Sequence, residues 1–209
     1  MELLLNINQY EYTNFLTSNI STLILALKDF SSGYQLSYPL KELNYIIENI
    51  HSNDKKIYIS LNIIANESQI ISLESLMPEI SKLDADGFVI ADFGILQLFK
   101  EANLSSKVIF NPVTTITNKY SSKIANNLGI NHVCVANELN LKDIFEISKH
   151  TKGNIEVLAQ GYYQICNSKR PLLSNFFKQF KIKNNSQSYF IKEESRDYAY
   201  PIIELNNEV

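Results

Sequence analysis

The chain has 209 residues, 45% hydrophobic and 20% charged, with a formal net charge of −3. That is enough for one large domain or two small ones with a real core, and the balance is that of a globular protein, not a disordered or collagen-like one. Two cysteines, Cys134 and Cys166, exclude a disulfide framework. No run approaches the roughly 18 unbroken apolar residues of a membrane span, and the start Met-Glu-Leu-Leu-Leu-Asn lacks the basic stretch of a signal peptide, so a cytoplasmic protein without membrane contact is expected.

Along the chain, short runs rich in Ile, Val and Leu recur at Glu2–Ile7, Thr22–Leu27, Lys56–Asn62, Gly87–Ala91, Lys107–Phe110, His132–Ala136 and Ile155–Leu158. Each is nearly continuous rather than alternating, the pattern of parallel strands covered on both faces. Helical spacing fills the intervals: Leu40, Leu43, Ile46, Ile47 and Ile50, then Ile71, Leu73, Leu76, Ile80 and Leu83. Ile116, Tyr120, Ile124 and Leu128 form a third set, and Leu141, Ile144, Phe145 and Ile147 a fourth. Ser72 and Asn140 read as helix starts, Gly129 and Gly153 as stops.

Seven strand-and-helix units without a linker predict a TIM-like (β/α) barrel, incomplete because no eighth strand is visible. The absence of a Gly-rich fingerprint after the first strand argues against a dinucleotide-binding sheet. Pro171–Phe180 reads as a helix, and Ser188–Glu193 with Tyr198–Leu205 as a C-terminal β-hairpin around Ser-Arg-Asp. The expected division is a barrel domain over 1–180 and a hairpin extension over 181–209. The missing strand leaves edges on strands one and seven, which predicts a dimer, a complex with a longer paralogue, or closure of the gap by the hairpin.

Barrels carry their sites at the carboxyl ends of the strands. Those positions here are Asn6, Lys28-Asp29, Asn62, Asp92, Asn111 with Thr114 and Thr115, Asn137-Glu138, and Gln160. Any one of them serves equally as a helix cap; together they predict a polar pocket at the barrel mouth. Asp92 and Glu138 are the candidate acid–base pair, and Asn62, Asn111 and Gln160 candidate ligand contacts. Searches for other chemistry fail. His51, His132 and His150 show no metal spacing, there is no G-x-S-x-G elbow, and the S-x-x-K letters at Ser52–Lys55 precede a strand. Cys134 reads as buried filler within its strand. Cys166 sits in a basic neighbourhood without a base nearby. No metal or cofactor is expected.

The segment Val157–Lys192 holds Lys169, Arg170, Lys178, Lys181, Lys183 and Lys192 and no acid, which leaves −9 for the rest of the chain. One basic strip on an acidic body fits a local phosphate contact. Tyr162, Tyr163, Phe176, Phe177 and Phe180 interleave with the cations as stacking platforms would, although the three phenylalanines have the spacing of a packed helix face.

Glu156-Val-Leu-Ala-Gln-Gly161, continuing to Ser168-Lys-Arg170-Pro-Leu-Leu-Ser174-Asn, resembles the signature of peptidase family U32, the collagenase-like peptidases. The resemblance extends over Leu27–Phe30, Tyr58–Asn62 with Ala65-Asn66, Asp92-Phe-Gly94, Asn111–Asn118, Ala136–Glu138 and the segments Tyr189–Glu194 and Arg196–Glu204, which are similar to the short Gram-positive branch. It implies one of two activities: proteolysis, as the family name says, or hydroxylation of nucleic-acid or quinone rings, including the wobble uridine of transfer RNA. Several such relatives hold an iron–sulfur cluster through cysteines whose positions correspond here to Gln164 and Pro171, which cannot ligate iron. The family's histidine before the glycine is Gln160 here.

The leading expectation is a transfer-RNA modification factor acting on the wobble uridine with a longer paralogue, in which Ser168, Lys169 and Arg170 join the ligand contacts at the mouth. The alternatives are a collagenase-like peptidase and a degenerate scaffold subunit.

Overall fold

The computed structural model describes residues 2–161, 166, 168–183 and 189–204. The chain divides into two compact units, Met1–Gly161 and Tyr162–Val209. The division falls before the helix that follows the seventh strand, so that helix belongs with the hairpin, whereas the sequence suggested a break at 180/181.

The first unit is a seven-stranded, all-parallel sheet in sequential order: β1 Leu4–Asn6, β2 Thr22–Ala26, β3 Lys56–Leu61, β4 Gly87–Ile90, β5 Val108–Phe110, β6 His132–Cys134 and β7 Asn154–Glu156. Helices α1 Leu40–His51, α2 Glu67–Ile80, α3 Phe93–Glu101, α4 Lys119–Asn127 and α5 Leu141–Ser148 connect them. This is the winding of a (β/α) barrel left open, a curled half-barrel: among the described residues no strand joins β7 to β1. The second unit holds α6 Leu172–Phe180 and an antiparallel hairpin, β8 Tyr189–Lys192 with β9 Ala199–Ile202.

The continuous apolar strands have the predicted cause. All five residues of β2 are buried, because one face meets the helices and the other lines the lumen. Towards the helices, Leu23, Leu25, Ile57, Ile59, Phe88 and Phe110 pack with Leu43, Ile47, Ile50, Leu73 and Phe99. Truncating one of these, as in Ile59→Ala, costs about 2–5 kcal/mol. Towards the lumen, Ile24, Tyr58, Val89, Ile109 and Cys134 form a second, smaller cluster. Gly87 makes room for it: a Cβ there would stand 2.3 Å from Ile109 Cδ1 and 2.8 Å from Tyr58 Cδ1.

Several local signals resolve differently from the sequence reading. The second helix begins at Glu67, capped by Asn66 in a full capping box with Gln69, so Ser72 is interior. Asn140 caps α5 as read, accepting from the Asp143 amide. Gly129 follows α4 with φ +88, the left-handed stop expected of it. Gly153 is not a stop. Its hydrogen faces the Asn131 carbonyl, so close that a Cβ would lie 1.9 Å from that oxygen. Helix α3 had no predicted counterpart.

Candidate ligand site at the mouth of the half-barrel

Alternation along the strands turns Asn6, Ala26, Ser60, Asn62, Ala91, Asn111 and Ala136 to the face that carries the lumen cluster. The lower lumen is therefore apolar, and the layer above it is small and polar. Such a layer leaves room and hydrogen-bonding groups together, the composition of a ligand socket.

The connection from β2 to α1 closes over this layer. Its two ends are tied by the Leu27–Tyr38 bridge and by Lys28 N–H donating to Tyr38 O at 2.9 Å. Asp29 and Gly33 take positive φ, +70 and +81, and let the loop double back. Its tip is held by Asn62: Ser32 N–H donates to Asn62 Oδ1 at 3.0 Å, and Asn62 Nδ2 donates to Ser32 O at 3.2 Å. Ser31 Oγ donates to Ser60 O at 2.6 Å, and the Asn8 side chain accepts from Gln35 N–H at 2.8 Å. Between these anchors Tyr34 dips into the socket. Burial pushes its hydroxyl pKa up, with the neighbouring Ser60 and Asn6 side chains acting in the opposite direction. Ser60 is fully buried, and its own hydroxyl makes no hydrogen bond of ordinary geometry.

The other rim residues are placed as follows. Asp92 caps α3, its Oδ1 accepting from Gly94 N–H at 2.7 Å and Ile95 N–H at 3.0 Å. Asn111 Oδ1 accepts from Val113 N–H at 3.2 Å and supports Val113 at φ +61, an uncommon conformation for a β-branched residue. Glu138 is exposed in the turn before α5, and Gln160 is exposed near the end of the first unit. Asn62 and Asn111 are thus half-buried and inward, Asp92 is engaged as a cap, and Glu138 and Gln160 face solvent.

Inside the lumen the structure assembles a group the sequence did not single out. Cys134 on β6 donates to Glu156 Oε2 on β7 at 3.1 Å, and Glu156 Oε1 lies 2.9 Å from His132 Nε2. The Tyr58 ring meets the His132 ring edge-on at 6.2 Å. Burial, and then the Glu156 charge, push the Cys134 thiol well up. Cys134 is therefore a hydrogen-bond donor as well as filler, and a poor nucleophile. The missed signal lay in register: Cys134 and Glu156 are direct partners across β6 and β7.

In the second unit, Ser168 Oγ accepts from Arg170 N–H at 3.2 Å, and Arg170 O accepts from Leu172 N–H at 2.8 Å, which leads the chain into α6. Lys169 and Arg170 are exposed. Pro171, at the cap position before α6, makes no side-chain capping bond. Glu204 takes that part, accepting from the amides of Leu173 at 2.9 Å and Ser174 at 3.2 Å and from the Ser174 hydroxyl. Phe177 packs on Tyr189, while Phe176 and Phe180 form an exposed ring pair 4.8 Å apart. Tyr162, Tyr163 and Gln164 lie outside the described residues.

The iron–sulfur cluster implied by the resemblance does not fit the donors of this chain. Cluster binding takes about four thiolates; the sequence has two cysteines, one of them buried on β6 and bonded to Glu156, the other exposed in the second unit. Among the described residues no three His, Cys, Asp or Glu side chains are grouped to hold a metal ion, and no helix is long and apolar enough to cross a membrane.

An open (β/α) half-barrel with a polar mouth and a small α/β appendage defines a class, and comparison with known proteins gives the family. The model of Peptidase family U32 matches residues 11–187, and the chain belongs to that family. It is 27% identical over 173 residues to the tRNA hydroxylation protein P2 of Bacillus subtilis, covering 80% of this chain and 56% of that protein. It is 28% identical over 129 residues to the tRNA hydroxylation protein P of Helicobacter pylori strain J99, covering 61% of this chain and 31% of that protein. The chain thus spans about half or less of the length of these relatives. Among solved structures, the U32 peptidase Mk0906 superposes with a TM-score of 0.63 over 90% of this chain and 83% of its own, at 15% identity, which establishes the shared fold.

Proposed function

We propose that this chain works in transfer-RNA modification, as a factor for hydroxylation of the wobble uridine, together with a longer member of the family. The similarity to the Bacillus subtilis tRNA hydroxylation protein P2, which covers four-fifths of this chain, carries the reading. The polar mouth supports it with a socket for a small polar ring, and the exposed Lys169 and Arg170 with cations for phosphate. Because the cluster-binding positions are Gln164 and Pro171, the oxidation chemistry is assigned to the longer partner, and this chain supplies RNA binding and positioning.

Deleting the gene and measuring hydroxylated wobble uridine in bulk transfer RNA by mass spectrometry tests this. The modified nucleoside should fall and return when the gene is restored; an unchanged profile sinks the reading.

A further inference from the structure

Asn62 spends both ends of its carboxamide on a single residue. It accepts from Ser32 N–H and donates to Ser32 O, at 3.0 and 3.2 Å. Because a backbone N–H only donates and a backbone oxygen only accepts, the amide orientation is fixed by its partners. The same adjacent donor-and-acceptor edge is presented by uracil through N3–H and a ring carbonyl. The Ser32 contact is therefore one that a uracil edge can replace bond for bond.

The rest of the loop supports such an exchange. Tyr34 places a six-membered ring in the socket, with its hydroxyl beside Asn6 and beside Ser60, whose buried hydroxyl lacks a properly formed hydrogen bond. The layer around it carries the small side chains of Ala26, Ala91 and Ala136. The loop turns on Gly33 at φ +81, and its tip meets the mouth through the polar contacts of Ser31, Ser32 and Gln35, while Phe30 and Tyr38 at its flanks are packed in the core. A buried, under-satisfied hydroxyl next to a displaceable ring is the arrangement of a socket filled by its own lid.

We propose that Asn62 reads the base: the loop tip Ser31–Gln35 swings aside between its core-anchored flanks, Tyr34 leaves the socket, and a uracil ring takes its place with its N3–H and adjacent carbonyl on the Asn62 carboxamide. This deepens, and rests on, the RNA reading given above, and it commits the mouth to a pyrimidine base and the loop to a lid.

The chain has no tryptophan, so Tyr34→Trp introduces a single emitter at the lid. The probe is a synthetic anticodon stem-loop with uridine at the wobble position, compared with the same RNA carrying 3-methyluridine, which lacks the N3–H. The uridine RNA should shift the Trp emission to longer wavelength, and the methylated RNA should bind about tenfold or more weakly, the loss of a paired donor–acceptor contact. Asn62→Ala should show the same loss and no longer distinguish the two RNAs. Gly33→Ala strains the closed loop without a clash, since nothing lies within 4 Å of the added Cβ, and should tighten binding several-fold by favouring the open form. Equal binding of the two RNAs by the wild-type chain overturns the proposal and needs no variant to fold; RNA binding without any change in emission by a folded Tyr34→Trp chain overturns it as well. The outcome is separable from the modification reading. If deletion of the gene leaves wobble hydroxylation intact while uridine-dependent lid opening persists, the modification reading falls and the socket stands. If hydroxylation is lost but both RNAs bind alike, the reverse holds.

Discussion

The Cys134 thiol on β6 donates to the Glu156 carboxylate on β7, whose other oxygen lies 2.9 Å from His132 Nε2. One carboxylate inside the lumen thus serves two neighbours from the adjacent strand. The thiol stays protonated because burial and the nearby charge both disfavour a thiolate. At neutral pH an alkylating reagent should therefore label the exposed Cys166 and leave Cys134 unmodified until the protein is unfolded. Peptide mass spectrometry reads this directly, and rapid labelling of Cys134 in the folded chain would contradict it.

The same burial links stability to alkaline pH. Tyr58 is pushed from 10.0 up to about 12, by burial first and then by Glu156 and Glu2. A group whose folded pKa is raised contributes stability that is complete below its unfolded pKa and is lost as pH climbs through the folded one. For Cys134 the loss starts near 9.0, and for Tyr58 it runs from 10.0 to about 12. The melting temperature should fall along this limb, and Tyr58→Phe should flatten it between those two values while changing little at pH 7. An unaltered limb in the variant would remove Tyr58 from the account.

The fold was legible because the sheet imposes a strong rule. Strands buried on both faces read as unbroken apolar runs, which made β2 to β5 plain, and the half-buried edge strands β1 and β7 were visible at the same spacing along the chain. Helix α3 was not, although Ile95, Leu98 and Phe99 are buried at helical spacing, because it is only nine residues long and follows the apolar β4 after Ala91 and Asp92 alone. The polar strand ends were legible as a set but not in their roles. Asp92 and Asn111 bind local backbone, which sequence cannot separate from ligand binding, whereas Asn62 reaches a loop thirty positions away. Tyr34 carried no signal at all, because its place depends on the positive φ of Asp29 and Gly33. Glu156 was quoted within a motif, but its partnership with Cys134 follows only from strand register.

Glu204 stands in for a helix cap in the second unit, through its bonds to the Leu173 and Ser174 amides at the start of α6. A carboxylate there satisfies two free N–H groups and meets the positive end of the helix dipole. Glu204→Ala should destabilise α6 by about 0.5–2 kcal/mol. Hydrogen exchange at Leu173 and Ser174 should accelerate, with β2 and β3 in the first unit unchanged. Uniform acceleration over both units would refute a local cap.

The thiolate count gives a metal prediction. After anaerobic reconstitution the purified 209-residue chain should hold no stoichiometric iron or acid-labile sulfide, because two cysteines fall short of the roughly four ligands of a cluster. Iron and sulfide analysis should also stay flat when Cys166 is replaced by Ser. A reproducible cluster absorbance in the isolated chain would overturn the assignment of the oxidation chemistry to a partner.

Arg170 gives the test of the basic strip. Its amide is held by Ser168 Oγ and its carbonyl by Leu172 N–H, so the backbone is fixed by groups that a side-chain substitution leaves in place, while the side chain is exposed. A guanidinium so presented can engage phosphate bidentately. Arg170→Ala should therefore weaken binding of the anticodon stem-loop by about tenfold and leave the melting temperature unchanged. Lys183→Ala should cost far less, and the salt dependence of binding should become shallower in the Arg170 variant alone. The opposite result, a large drop in melting temperature with RNA affinity retained, would make Arg170 an internal tie of the second unit. No change in either quantity would leave the cations of this strip as solvent-facing charge with no part in RNA binding.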